Sequence, residues 1–161
     1  MKPRMSALAF SLAGITLVAC WGIFFLFCPT APTPIAFFLG NACVLVGVLL
    51  IILAISTLRA RGSSPQSVEF TETSTVVNTG IYSIVRHPLY LGWLLMYPAV
   101  MILCPWWLVW ALSLLGMGSM VLIVIEGEDR LLEKFGADYQ IYMQEVPRFN
   151  LILGLWRKLR N

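Results

Sequence analysis

Charge is what this sequence has least of. No Asp, Glu, Lys or Arg occurs between Arg4 and Arg59, or again between Arg86 and Glu126. Charged residues make up 12% of the chain and apolar residues 59%, where a soluble domain is nearer a quarter and about half. That deficit excludes a soluble enzyme and a disordered tail. Histidine is nearly absent too, with His87 alone. Cys20, Cys28, Cys43 and Cys104 show neither CxxC spacing nor a histidine cluster. No metal site and no disulfide framework is therefore indicated, and the cysteines read as small packing residues. There is no Gly-rich dinucleotide fingerprint, no internal repeat and no low-complexity tract.

What is present is apolar sequence in long runs. A bilayer span takes about 20 mostly apolar residues, so each charge-free run accommodates two spans. Pro29, Pro32 and Pro34 interrupt the first run and Pro105 the second, because proline removes a backbone donor and resists helix continuation. The pattern predicts an all-α, polytopic membrane helical bundle with helices over Ala7–Phe27, Ile35–Leu58, Leu89–Leu103 and Trp106–Ile125. The third is short for a full span. Residues 1–161 read as one domain, with two N-terminal spans in 1–58 and a motif-bearing half in 74–149.

The basic residues orient this array. Lys2 and Arg4 precede the first helix; Arg59, Arg61 and Arg86 lie between the second and third; Arg130, Lys134, Arg148, Arg157, Lys158 and Arg160 follow the fourth. The other two connections carry none, so the positive-inside rule places both termini and the charged segments in the cytoplasm. The net charge of +3 then needs no nucleic-acid partner. Lys2 and Arg4 before an apolar stretch resemble a signal peptide, but the stretch is long and has no small-x-small cleavage site, so it reads as a retained helix.

Featureless spans leave the chemistry to two charged segments, Arg59–His87 and Glu126–Asn161. In the first, Asn78-Thr79-Gly80 reads as a turn and Ile81–Val85 as extended. Pro88 suits the first position of the next helix, so Arg86 and His87 stand just before a helix N-terminus, a place suited to an anion such as a carboxylate. Tyr90 lies one turn in. The alternative is structural: Arg86 snorkels to headgroups, Tyr82 and Tyr90 are interfacial aromatics, and His87 is a cap. In the second segment, Leu131, Leu132, Phe135, Tyr139 and Tyr142 recur at helical spacing, a helix leaving the bilayer with a break near Gly136. Glu126, Glu128 and Asp129 sit at its exit, where acids are either functional or plainly solvated. Leu151–Trp156 with Arg157, Lys158 and Arg160 reads as an interfacial tail.

Together these segments resemble the isoprenylcysteine carboxyl methyltransferase family and its phospholipid methyltransferase relatives. The resemblance is carried by Val77-Asn-Thr-Gly-Ile-Tyr-Ser-Ile-Val-Arg-His-Pro-Leu-Tyr-Leu-Gly92, by Glu128-Asp-Arg-Leu-Leu-Glu-Lys-Phe-Gly-Ala-Asp-Tyr-Gln-Ile-Tyr142 and by Val146-Pro-Arg148. It covers the stretch from Val76 to Phe149. It implies an integral membrane methyltransferase that uses S-adenosyl-L-methionine in a cytoplasm-facing pocket formed by the C-terminal helix and loop. A lipophilic substrate would arrive from the bilayer, with membrane lipids as the other partners and no metal. Carried over, the cofactor contacts would be Ser74, Thr75, Val76, Val77, Tyr82, His87, Pro88, Leu89 and Tyr90, with a further contact from an acidic pair. Glu128 matches that pair whether or not a residue is missing before Phe135, with Asp129 its neighbour and Glu126 in reserve. His87 and Glu128 are the candidate proton acceptors. Carboxyl-methylating relatives carry an arginine about one turn before the pair; Ile123 and Val124 stand there in this chain, which disfavours a prenylcysteine carboxylate as substrate.

Two other classes stay open on sequence. A lipid or sterol-type reductase shares part of the helical frame but would need a nicotinamide site. A non-enzymatic small membrane subunit or transporter would want polar groups at mid-membrane, where the helices offer Asn41 and a few hydroxyls.

Overall fold

The structure is a computed structural model and describes residues 3–28, 31–61 and 75–160. Helix α1 spans Pro3–Phe27, α2 Pro34–Arg61, α3 Pro88–Leu103, α4 Trp107–Phe135, α5 Ala137–Glu145 and α6 Leu151–Arg160, with a 3₁₀ turn at Gly80–Ser83. Among the described residues there is no strand. Pro29, expected to break the first apolar run, lies outside them, as does Ser74.

Local chemistry sets the helix ends. Pro34 opens α2 at the position where its missing N–H costs nothing, and the Thr33 hydroxyl caps it by accepting from the Ala36 N–H at 3.2 Å. Pro88 opens α3 in the same way. The Asn150 side chain caps α6 by accepting from the Leu153 N–H at 2.9 Å. Gly136, at φ 55°, ends α4 and admits α5.

Ala7–Phe27, α2 and α4 are long and apolar enough to cross a membrane. The protein is an all-helical membrane protein. The 16 residues of α3 rise about 24 Å, short of a bilayer core of about 30 Å, in line with the brevity expected from sequence. The apolar part of α4 ends at Ile125, and from Glu126 the same helix carries charge.

Two sequence expectations are corrected. Ile81–Val85, expected to be extended, belongs largely to the 3₁₀ turn. Gly80 enters it at φ 60°, and the Ser83 hydroxyl donates to the Gly80 carbonyl at 2.7 Å; this closed local pairing outweighs the β preference of the isoleucines. The cysteines are not all unpaired packing residues either. Cys28 and Cys104 form a disulfide across a separation of 76 residues, with Cα atoms 5.9 Å apart. Their sequence spacing carries no sign of it, because the pairing arises where the ends of α1 and α3 meet. Cys20 and Cys43 remain free.

The chain divides into two compact units, Met1–Val48 with Gly92–Glu126, and Leu49–Leu91 with Gly127–Asn161. The core of the first includes Cys20, Val100, Cys104 and Val109. Its buried polar groups are mutually satisfied. The Tyr97 hydroxyl donates to the Ala13 carbonyl at 2.7 Å and lies 3.3 Å from Thr16 Oγ1; Cys20 Sγ lies 3.5 Å from the Ser113 hydroxyl. Gly116 lets α4 pass against Thr16 and Tyr97, where a Cβ would overlap both side chains. The second unit is organised around Tyr139, Tyr142 and Val146, with Val76, Leu131, Leu132, Phe135 and Met143 packed against them. The apolar stripe read from the sequence is therefore the inner face of α5 and the end of α4.

Candidate active site

The site lies wholly within the second unit. Its frame is a short backbone pairing. The Arg86 N–H donates to the Pro147 carbonyl at 2.9 Å and the His87 N–H to the Arg148 carbonyl at 3.4 Å. Proline at 88 and proline at 147 keep their preceding residues out of the helical region, and Val146 is extended at φ −112° and ψ 127°. Two further ties hold the strips in place. The Tyr142 hydroxyl donates to the Tyr82 carbonyl at 2.7 Å, and Gly154 of α6 packs on Ile84, where any Cβ would overlap the Ile84 carbonyl. Lys158 donates to the Ser83 hydroxyl at 2.5 Å, and Arg157 donates to the carbonyls of Gln144 and Glu145, each at 3.1 Å, serving the exposed C-terminus of α5.

Within this frame sits one carboxylate and three nitrogen-bearing side chains. Glu128, 3% exposed, is reached on Oε1 by His87 Nε2 at 3.0 Å and by Arg86 Nη2 at 3.2 Å, and on Oε2 by Arg148 Nη2. Burial alone would raise its pKa, but the hydrogen bonds from His87 and Arg148 and the Arg86 charge hold the carboxyl down at about 2. Burial is also the main influence on His87 and pushes its pKa below the ordinary value, outweighing the upward pull of Glu128; Arg86 and Arg148 add to the depression. A neutral imidazole facing an ionised carboxylate must donate from Nε2, which leaves the lone pair on Nδ1. The Glu128 hydrogen bond raises the Arg148 pKa. Burial raises Tyr139 to about 12 and pushes Tyr82 and Tyr142 upward as well, so these phenols stay protonated.

The arrangement is not closed. Arg86 Nε and Nη1, Arg148 Nε and the Tyr139 hydroxyl are buried without a hydrogen-bond partner. Tyr139 lies within electrostatic reach of Glu128, Arg86 and Arg148. Tyr90 and Phe149 flank the imidazole, with ring centroids 6.0 and 6.2 Å from that of His87.

The residues expected from the sequence fall in several places. His87, Tyr90 and Glu128 come together in the cluster. Pro88 is fully buried, Val76 packs on the tyrosine core, Tyr82 is tied to Tyr142 through its carbonyl, Val77 and Leu89 are half-buried, and Thr75 is exposed. Ser74 lies outside the described residues. Glu126 falls in the first unit and takes no part in the Glu128 ion pairs, while Asp129 is exposed. Arg148 is legible in the sequence only as part of the Val-Pro-Arg string, and Tyr139 as a member of the apolar stripe and of the string from Glu128 to Tyr142, neither with a site role. The available signal was a buried acid in need of cations, which Arg86 and His87 already answered.

An all-helical membrane protein with Arg-His-Pro-x-Tyr at a helix start, folded onto an acid at the end of a long apolar helix, defines a narrow class of membrane enzyme. Residues 35–138 match the family model described as phospholipid methyltransferase; the chain belongs to that family and is a membrane methyltransferase by kind. No curated protein and no solved structure matches the chain. The matched span contains Arg86, His87 and Glu128 and ends before Arg148.

Proposed function

We propose that this chain is an S-adenosylmethionine-dependent methyltransferase acting on a lipophilic, membrane-embedded substrate at the cytoplasmic face. The observation that carries the reading is the buried, ionised Glu128 held against His87 at the start of α3. The residues fit the cofactor's chemistry: an ionised carboxylate suits its cationic end, and the aromatic rings of Tyr90 and Phe149 beside His87 suit a sulfonium or an adenine face. Bound there, S-adenosylmethionine would supply an electrophilic methyl group on a positively charged sulfur. Glu128, His87 and Tyr90 would hold it; Val76, Val77, Tyr82, Pro88 and Leu89 shape and support the surrounding walls.

The chain's own contribution is positioning and proton control. Displacement at a methyl group needs the nucleophile in line and water excluded, and the apolar helices provide a medium in which a lipid substrate is already concentrated. His87 is the better of the two candidate bases. Its Nδ1 carries a free lone pair in the neutral ring, whereas Glu128, at about 2, is too weak a base to take a proton near neutrality. The basic residues all lie at the ends or in the segments bearing the site, which supports cytoplasmic termini. Ile123 and Val124, buried and apolar, offer nothing to a prenylcysteine carboxylate, which favours a different lipophilic acceptor.

Calorimetric titration of the detergent-purified protein with S-adenosylhomocysteine tests the proposal. Saturable binding that weakens in His87→Ala and Tyr90→Ala is the expected result. Absence of binding in a folded preparation would remove the cofactor assignment.

A further inference from the structure

We propose that Arg86 and Arg148, together with the Tyr139 hydroxyl, form a seat for a second anionic group, a carboxylate or a phosphate, alongside Glu128. The argument is one of charge and of donors. Among the described residues two guanidinium groups face a single carboxylate, so the described cluster carries one positive charge more than it neutralises. Each guanidinium spends one Nη2 on Glu128, and Arg86 Nε, Arg86 Nη1, Arg148 Nε and the Tyr139 hydroxyl are left as buried donors with nothing to donate to. Buried donors are nearly always satisfied in folded proteins, and an exception calls for a missing partner. Here every missing partner is an acceptor, and the excess charge requires that acceptor to be an anion. The His87 ring gives no relief: its Nε2 faces Glu128, and its Nδ1 is bonded to none of these donors.

The two arginines differ in a way that suggests how such a group enters. The Arg86 side chain is 8% exposed and that of Arg148 39%. Arg86 is therefore the enclosed member of the pair, and Arg148 is the one that an incoming ligand can reach. Guanidinium groups favour planar, two-oxygen partners, and both carboxylate and phosphate present them. The carboxylate source is the amino-acid end of the cofactor and rests on the reading above; the phosphate source is a lipid headgroup and does not.

The test titrates the full-length protein in detergent with three probes. S-adenosylhomocysteine carries the carboxylate, 5′-methylthioadenosine is the same nucleoside thioether without it, and dioctanoylphosphatidic acid is a soluble lipid phosphate. Arg148→Gln should weaken one of the two anionic probes by about tenfold, the loss of a charge-assisted pair, and leave methylthioadenosine unchanged. Arg148→Lys should fall between, keeping the charge but not the planar fork; it carries the test alone if the Gln variant fails to fold. Loss confined to S-adenosylhomocysteine assigns the seat to the cofactor carboxylate, and loss confined to phosphatidic acid assigns it to the headgroup. If the parent binds S-adenosylhomocysteine and neither anionic probe responds to Arg148, the seat is refuted and the cofactor reading stands. If the parent binds neither nucleoside, the cofactor reading fails, and phosphatidic acid alone decides: no binding, or binding indifferent to Arg148, refutes the seat.

Discussion

The two compact units treat buried polarity in opposite ways. In the first, Tyr97, Thr16, Cys20 and Ser113 are inside the protein, and each has a near partner, mostly a backbone carbonyl. None is charged, and the contacts join α1, α3 and α4. In the second, the buried polar groups include ions, and among the described residues Arg86 Nε and Nη1, Arg148 Nε and the hydroxyls of Thr79 and Tyr139 remain without a partner. A satisfied network of hydroxyls acts as internal bonding for helices; an under-satisfied network of ions is costly to keep and is retained where it has a ligand to meet. The contrast sets apart the second unit, where the proposed cofactor site lies.

The sharpest way to break that contrast is Glu128→Gln. It strips the only anion from a site holding two arginines, and removing one partner of a buried pair costs about 3–5 kcal/mol. Thermal unfolding in detergent should show it, together with loss of S-adenosylhomocysteine binding. Glu126→Gln is the register control and should leave both intact. Acid titration probes the same cluster. His87 has a depressed pKa, so stability should begin to fall below about 6.5, where the unfolded ring takes up a proton that the folded one resists. The depressed Glu128 contributes stability that is complete above 4.5 and is lost as pH falls toward about 2. Unfolding midpoints across this range should decline in the parent, and the lower step should be missing in Glu128→Gln.

In the first unit, replacing Cys28 and Cys104 together by serine should cost about 2–4 kcal/mol, the usual value of a cross-link, with cofactor affinity preserved. Without reductant, thiol labelling of the denatured parent should find two reactive cysteines, Cys20 and Cys43. Tyr97→Phe removes one hydrogen bond to the Ala13 carbonyl, which the Thr16 hydroxyl still reaches, and should cost about 0.5–1.5 kcal/mol, again without touching cofactor binding. The smallest effect is expected at Glu133, which is exposed; Glu133→Gln should change stability by no more than about 0.5 kcal/mol. If Tyr97→Phe abolished cofactor binding while Glu128→Gln spared it, the assignment of roles to the two units would be reversed.

What the sequence made legible follows from range. The apolar runs, the prolines at 34 and 88 and the glycine at 136 act over a few residues, and the helices they delimit lie where expected. Arg86 and His87 were readable because proline marks the helix start beside them. The contacts that complete the site act over longer separations: 41 residues from His87 to Glu128 and 20 from Glu128 to Arg148. The resemblance bridged the first of these and singled out Glu128. Nothing local to Arg148 distinguishes it from Arg157 or Lys158, and only the turn after Val146 brings it back. The disulfide is the extreme case, and the 3₁₀ turn shows a hydroxyl and a glycine overriding a run of β-branched residues.

The pairing of residues 86–87 with 147–148 also fixes the order in which this enzyme can come into being. Synthesis runs from the N-terminus, and early elements fold before late ones exist. Arg86 and His87 therefore emerge long before the chain that receives their N–H groups, and Tyr82 waits 60 residues for Tyr142. Closing so long a loop is entropically unfavourable until its contacts form, so the apolar helices are in place first and the ion cluster is assembled last. A nascent or truncated chain that stops short of Val146 would hold the long apolar helices and still lack the Arg148 partner of Glu128 and the carbonyls that receive the Arg86 and His87 N–H groups.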